Sequence, residues 1–199
     1  YRYLWAGIGD TYAKNYEAEI SSRGEKLPHY TEVGVGFSKM CLTPMLEYGR
    51  QALEDNKKGV ATEALEQVAL AIVVTTAIVS IFLTRDFTPD YNSGLAHACF
   101  YALTAYPVIE KEHLHGEVVG FGVLYALLVD GQQEEFEKIY ALNKELGLPV
   151  RIADIGITEE QFFETMDRIP QMSDIRHYPY AVTKEMLMKA YETIEQLPV

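Results

Sequence analysis

The chain is short of cysteine and of positive charge, and each shortage excludes a class of protein. Cys41 and Cys99 are its only cysteines. Two cysteines make neither a disulfide framework nor a four-thiolate structural zinc site. Both lie in apolar, helix-like sequence and read as reduced core residues. Seventeen basic residues face 29 acidic ones, for a formal net charge of −12. Nucleic-acid binding needs clustered Lys and Arg, and an anionic membrane surface needs the same, so both partners are excluded. The sequence shows no internal repeat, no low-complexity tract and no alternating strand pattern of useful length. A bilayer-length apolar run is also missing. The longest uncharged stretch, "VALAIVVTTAIVSIFL" (68–83), has sixteen residues and three hydroxyls (Thr75, Thr76 and Ser80). A membrane span needs about 20, so the stretch reads as a central buried helix. No signal peptide and no initiator Met opens the chain, which starts in apolar sequence, "YRYLWAGIGD". The expectation is a cytoplasmic protein and an excised domain with a segment missing upstream.

Almost everything else reads as helix, and 48% of the residues are hydrophobic, enough for one domain with a real core. Apolar spacing and cap residues predict helices over 9–24, 32–59, 60–84, 95–107, 116–131, 133–147, 159–169 and 183–197. Pro44 is expected to start or kink a second piece inside 32–59. A loop falls at 25–30 and a turn-rich one at 84–94. Thr158 and Thr183 are the expected N-caps of the last two helices. The fold class is therefore all-α, a single multi-helix bundle over residues 1–199 with about eight or nine helices.

Three residues could carry chemistry. His97 follows "SGLA" at the start of an apolar helix, where a bare imidazole is either a hydrogen-bonded core residue or a ligand. His115 opens "HGEVVGFGVLYALL" (115–128), and a neutral imidazole there can point between helices; a solvated loop is the other reading of "HLH". His113, two residues earlier, should point elsewhere. Glycines 116, 120 and 122 in this helix cost about 1 kcal/mol each relative to alanine, so something must come close to it: a metal, substrate or cofactor, or a neighbouring helix. Asp10 in "AGIGDTYAKNYEA" is either a helix N-cap or a metal-ligand carboxylate. His29 and His177 sit in loops beside aromatics or prolines and read as structural or solvated. One carboxylate and two imidazoles make a three-ligand set that leaves a coordination position open, as a catalytic zinc site requires.

Three segments, "AGIGDTYAKNYEA" (6–18), "GLAHACFYALT" (94–104) and "HLHGEVVGFGVL" (113–124), resemble the iron-containing alcohol dehydrogenase superfamily, most of all its glycerol dehydrogenase branch. "IRHYPYAVTKEMLMKAYETIE" (175–195) resembles a related subgroup that includes hydroxycarboxylate dehydrogenases. The resemblance implies the C-terminal helical metal-binding domain of a two-domain enzyme, whose N-terminal NAD(P)-binding domain is absent from this chain. It implies Asp10, His97 and His115 as ligands of a divalent metal, with no further catalytic residue. The substrate implied is a small alcohol, polyol or hydroxy acid; a homo-oligomer is compatible with the sequence. The fragment alone should be inactive as a dehydrogenase. Iron-using branches have a further His one turn after the Asp, and here that position is Lys14, so zinc is expected over iron. Phe100 and Tyr101 stand where the pattern has polar residues, which suggests a bulkier or less polar substrate. Two alternatives are a non-catalytic helical domain for subunit contacts and a dehydroquinate synthase-like lyase domain. Asp10 in place of Glu, and no evident basic residues to grip a phosphorylated substrate, argue against the second.

Overall fold

The computed structural model describes residues 1–84 and 90–198. Part of the expected 84–94 loop lies outside them. Among the described residues the fold is all-α, as expected, with no strand. The helical segments are α1 Arg2–Ser22, α2 His29–Lys58, α3 Glu63–Leu70, α4 Thr76–Leu83, α5 Leu95–Leu103, α6 Pro107–Glu112, α7 His115–Val129, α8 Gln133–Leu146, α9 Glu159–Arg168 and α10 Lys184–Glu195. Both predicted caps form: the Thr158 hydroxyl accepts from Gln161 N–H and the Thr183 hydroxyl from Met186 N–H.

The centre of the bundle is α7, whose residues Val118–Leu127 are buried on every side. Helix α1 packs along one flank of it and α5 along another. The α7 glycines make this possible. A Cβ built on Gly116 would lie 2.2 Å from the Ala6 carbonyl oxygen, and one on Gly120 would lie 2.6 Å from the Tyr12 hydroxyl. One on Gly122 would lie 2.6 Å from the Ala96 carbonyl oxygen. Other helices, α1 and α5, are what comes close here, rather than a ligand. Gly9 on α1 answers Gly116 across the same contact, its Cβ position 2.2 Å from the Gly116 carbonyl oxygen.

Four expectations need correcting. Helix α1 starts two turns before residue 9, because Gly7 and Gly9 are packing positions inside it rather than breakers. Helix α2 continues through Pro44, which starts no second helix. Pro107 opens the short helix α6 instead of only ending α5, using its fixed φ at the first helical position. Finally, the apolar stretch is not central. Segments α3 and α4 form one rod, Glu63–Leu83, joined by a π turn at Ala71–Thr75. Length and composition alone would let it cross a bilayer. Its inner face, with Val68, Ala71, Val79 and Leu83, packs against neighbouring helices, mainly α2. Its outer face, with Leu70, Val73, Val74 and Ile81, is exposed; Val73 and Ile81 are 68% and 73% accessible.

Glycine without a packing role has the opposite value. Gly36 sits in the middle of α2 with nothing within 4 Å of its Cβ position. Gly36→Ala is expected to raise stability by about 0.5–1 kcal/mol through helix propensity, read as a higher urea midpoint at constant slope.

Candidate metal centre

The close contacts of α7 bring three helix faces to one point. Asp10 lies mid-helix on α1, so its N-cap reading is corrected. His97 lies on the first turn of α5, and His115 is the first residue of α7. One ligand atom from each lies within 4.8 Å of the others. His97 Nε2 is 3.5 Å and His115 Nε2 3.6 Å from Asp10 Oδ1. Those distances are too long for good hydrogen bonds. Asp10 Oδ1 is sealed from solvent and has no hydrogen-bond partner, although the rest of the carboxylate is partly open. Donor atoms about 2.1 Å from a tetrahedral ion stand about 3.4 Å apart. The orphaned oxygen and its two imidazole neighbours fit a divalent cation on that test.

Sequence reasoning missed Glu17, two turns after Asp10 on α1. Its side chain is fully buried. Oε2 is 2.6 Å from His97 Nδ1, and Oε1 accepts from the backbone N–H groups of Gly94 at 2.8 Å and His97 at 2.9 Å. One carboxylate thus caps α5 and orients its imidazole. With the Nδ1 proton turned to Glu17, Nε2 is left facing Asp10. Burial pulls the His97 pKa down, but the Glu17 charge, aided by Asp10, outweighs it and pushes it up to about 9. Burial raises the Asp10 carboxyl, yet the imidazoles of His115 and His97 beside it and the nearby Lys14 charge hold it well below the usual carboxylate range. A cation binding here displaces the His97 proton.

His115 is braced from the side. The Phe100 ring meets it edge-on with centroids 4.4 Å apart, and the His97 ring stands 5.2 Å away. His113 points elsewhere, as expected: its Nδ1 is 2.6 Å from Glu117 Oε1. His177 lies between Glu25 and Asp90, and His29 is exposed, so neither joins the site. The three donors open onto a cavity of about 470 Å³. Thr76 and Ser80 reach it from just past the π turn, Tyr101 from α5, and Lys14 from α1.

An all-helical domain with a carboxylate and two imidazoles converging beside a cavity belongs to the class of candidate metal-binding domains. Comparison with known proteins narrows it. The chain is 30% identical to glycerol dehydrogenase of Pseudomonas putida, over 98% of this chain and 54% of that protein. It is 28% identical to hydroxycarboxylate dehydrogenase A of Escherichia coli (strain K12), with the same coverage. The crystal structure of glycerol dehydrogenase from Schizosaccharomyces pombe superposes with a TM-score of 0.80 at 22% identity, over 97% of this chain and 50% of that one, a likeness of fold. No family model matches. The chain spans about half the length of the curated relatives it matches. Over the half of those proteins that it spans, it is similar to glycerol dehydrogenase- and hydroxycarboxylate dehydrogenase-like members of the iron-containing alcohol dehydrogenase superfamily.

Proposed function

We propose that residues 1–199 form the C-terminal, metal-binding domain of an NAD(P)-dependent oxidoreductase. Its substrate is a small alcohol, polyol or hydroxy acid. Asp10, His97 and His115 hold a divalent cation, zinc in preference to iron, because zinc ranks above ferrous iron at mixed nitrogen and oxygen sites. The observation that carries the reading is the convergence of three donors, from three helices, around a buried carboxylate oxygen with no hydrogen-bond partner. The relatives' names support the reaction class. NAD(P) is assigned mainly to an N-terminal domain outside this chain, so the chain alone turns over no alcohol. The setting is cytoplasmic, without nucleic acid or membrane.

A bound cation supplies Lewis acidity toward a substrate oxygen. The chain's own residues do the rest. Asp10 brings the negative charge, and Glu17 fixes which His97 nitrogen faces it. Phe100 holds the half-exposed His115 ring in place. Tyr101 on the cavity wall, with Phe100 against its ring, suits a less polar substrate than glycerol.

The test is elemental analysis of the purified chain beside Asp10→Ala and His115→Ala. The expected result is about one zinc per chain in the wild type and little or none in either variant. A folded wild type that takes up no divalent metal would sink the proposal. The same measurement separates the reading from a non-catalytic contact domain. The exposed apolar stripe of α3 and α4 favours such a role, but it gives Asp10 Oδ1 no partner.

A further inference from the structure

Lys14 lies one turn beyond Asp10 and three residues before Glu17, so α1 presents all three along one face. The Lys14 side chain is buried, at 6% exposure, and lines the cavity beside the three donors. Its Nζ donates to the Asn92 carbonyl oxygen at 2.8 Å. An ammonium has three donors, and the other two have no hydrogen-bond acceptor among the described residues. A buried cation is costly unless it is paired. Its carboxylate neighbours are committed elsewhere: Glu17 to His97 and two backbone amides, and Asp10, with His97 and His115 3.5 and 3.6 Å from its Oδ1, to the metal site. Asp174, the other carboxylate on the cavity wall, is only half-buried. Lys14 is the one Lys or Arg among the described residues lining the cavity.

The next step rests on the metal reading. A divalent cation held by Asp10, His97 and His115 adds two positive charges beside an ammonium that is already under-paired. The buried carboxylates, Asp10 and Glu17, offset the ion but leave Lys14 uncompensated. A neutral polyol offers Lys14 hydroxyl oxygens and no charge. A substrate with a carboxylate next to its reacting hydroxyl or carbonyl offers a full counter-charge and a strong acceptor, within the span of a small molecule. We propose that Lys14 recognises the carboxylate of a 2-hydroxy acid or its 2-oxo counterpart, and that this contact makes the site selective for such acids over neutral polyols. The Tyr101 ring on the cavity wall then faces the remaining, apolar part of the acid.

The experiment uses the chain loaded with Co²⁺, whose visible spectrum reports changes at the ion. It is titrated in parallel with 2-hydroxybutanoate and with butane-1,2-diol, which is close in size and lacks the charge. The wild type is expected to bind the acid at least about tenfold more tightly than the diol. Lys14→Met should weaken acid binding at least about tenfold while moving diol binding less than about twofold, and Lys14→Arg should restore part of the loss. Circular dichroism and Co²⁺ stoichiometry verify each variant, with Lys14→Gln replacing the methionine variant if that one does not fold. Equal acid and diol affinities in the wild type, or acid binding by Lys14→Met as tight as wild type, would overturn the assignment and leave the metal site standing. A wild type that takes up no Co²⁺ would overturn the metal reading and this inference with it.

Discussion

Glu17→Ala will lower the stability of the chain by about 3 kcal/mol and weaken zinc binding by about 10- to 100-fold. Glu17 is fully buried and makes three hydrogen bonds. Removing it strands two backbone N–H groups at the start of α5, each worth about 1–3 kcal/mol when buried without an acceptor. Burying a neutral His97 more easily returns part of that cost. The loss in metal affinity has a separate cause, since nothing then holds the Nδ1 proton or fixes the ring. Glu17→Gln separates the two effects. Its carbonyl oxygen still serves the α5 amides, so most of the stability should return. Its NH₂ group facing Nδ1 favours the tautomer with the proton on Nε2, so metal affinity should stay low. Urea denaturation and competition with a chromophoric chelator measure the two quantities. Wild-type zinc affinity in both variants would refute the positioning role.

The second large effect is expected from one added methyl. Gly116→Ala places a Cβ 2.2 Å from the Ala6 carbonyl oxygen and 2.9 Å from its carbon. These are backbone atoms in a packed helix, which cannot swing aside as a flexible side-chain end can. Overpacking of this kind costs about 1–3 kcal/mol, against which the gain in helix propensity is about 1 kcal/mol. The upper end is expected here, giving a net loss of about 2 kcal/mol in chemical denaturation. Relief by separation of α1 from α7 also pulls Asp10 away from His115, so zinc affinity should fall although no ligand is altered. A variant as stable as wild type would mean that the α1–α7 contact yields more readily than its geometry indicates. Together with Gly36→Ala, the pair gives opposite signs for one substitution, decided by what surrounds the Cβ.

What the sequence disclosed divides along the range of the forces involved. The caps at Thr158 and Thr183 were legible because donor and acceptor are three residues apart. The all-α class was legible because apolar spacing repeats through the chain. Glu17 was not, because its partner His97 is 80 residues away and a Glu in "YEAE" looks like any solvated helix residue; its signal was its place on the Asp10 face of α1. The rod at 63–83 was misplaced because both of its faces are apolar, and hydrophobicity alone cannot tell a face in contact from a face left exposed. The glycines of α1 and α7 read as costs when taken singly, and their benefit appears only when the two helices meet. Asp10, His97 and His115 could be grouped by residue type as a ligand set, but nothing local showed that they meet, and the resemblance to a family was what joined them. Taken locally, each had an ordinary reading, and for Asp10 that reading, an N-cap, is not what the helix shows.

The separation of Glu17 from His97 along the chain also bears on how the molecule holds together. No unfolded stretch can gather groups that lie on α1, α5 and α7, so an ion caught among them binds the folded chain and has no comparable site in the unfolded one. At a free concentration one hundred times its dissociation constant, such an ion adds about 2.7 kcal/mol to folding. On the metal reading, trace metal in the buffer is then a component of the fold, and a chelator is expected to act on this chain as a mild denaturant.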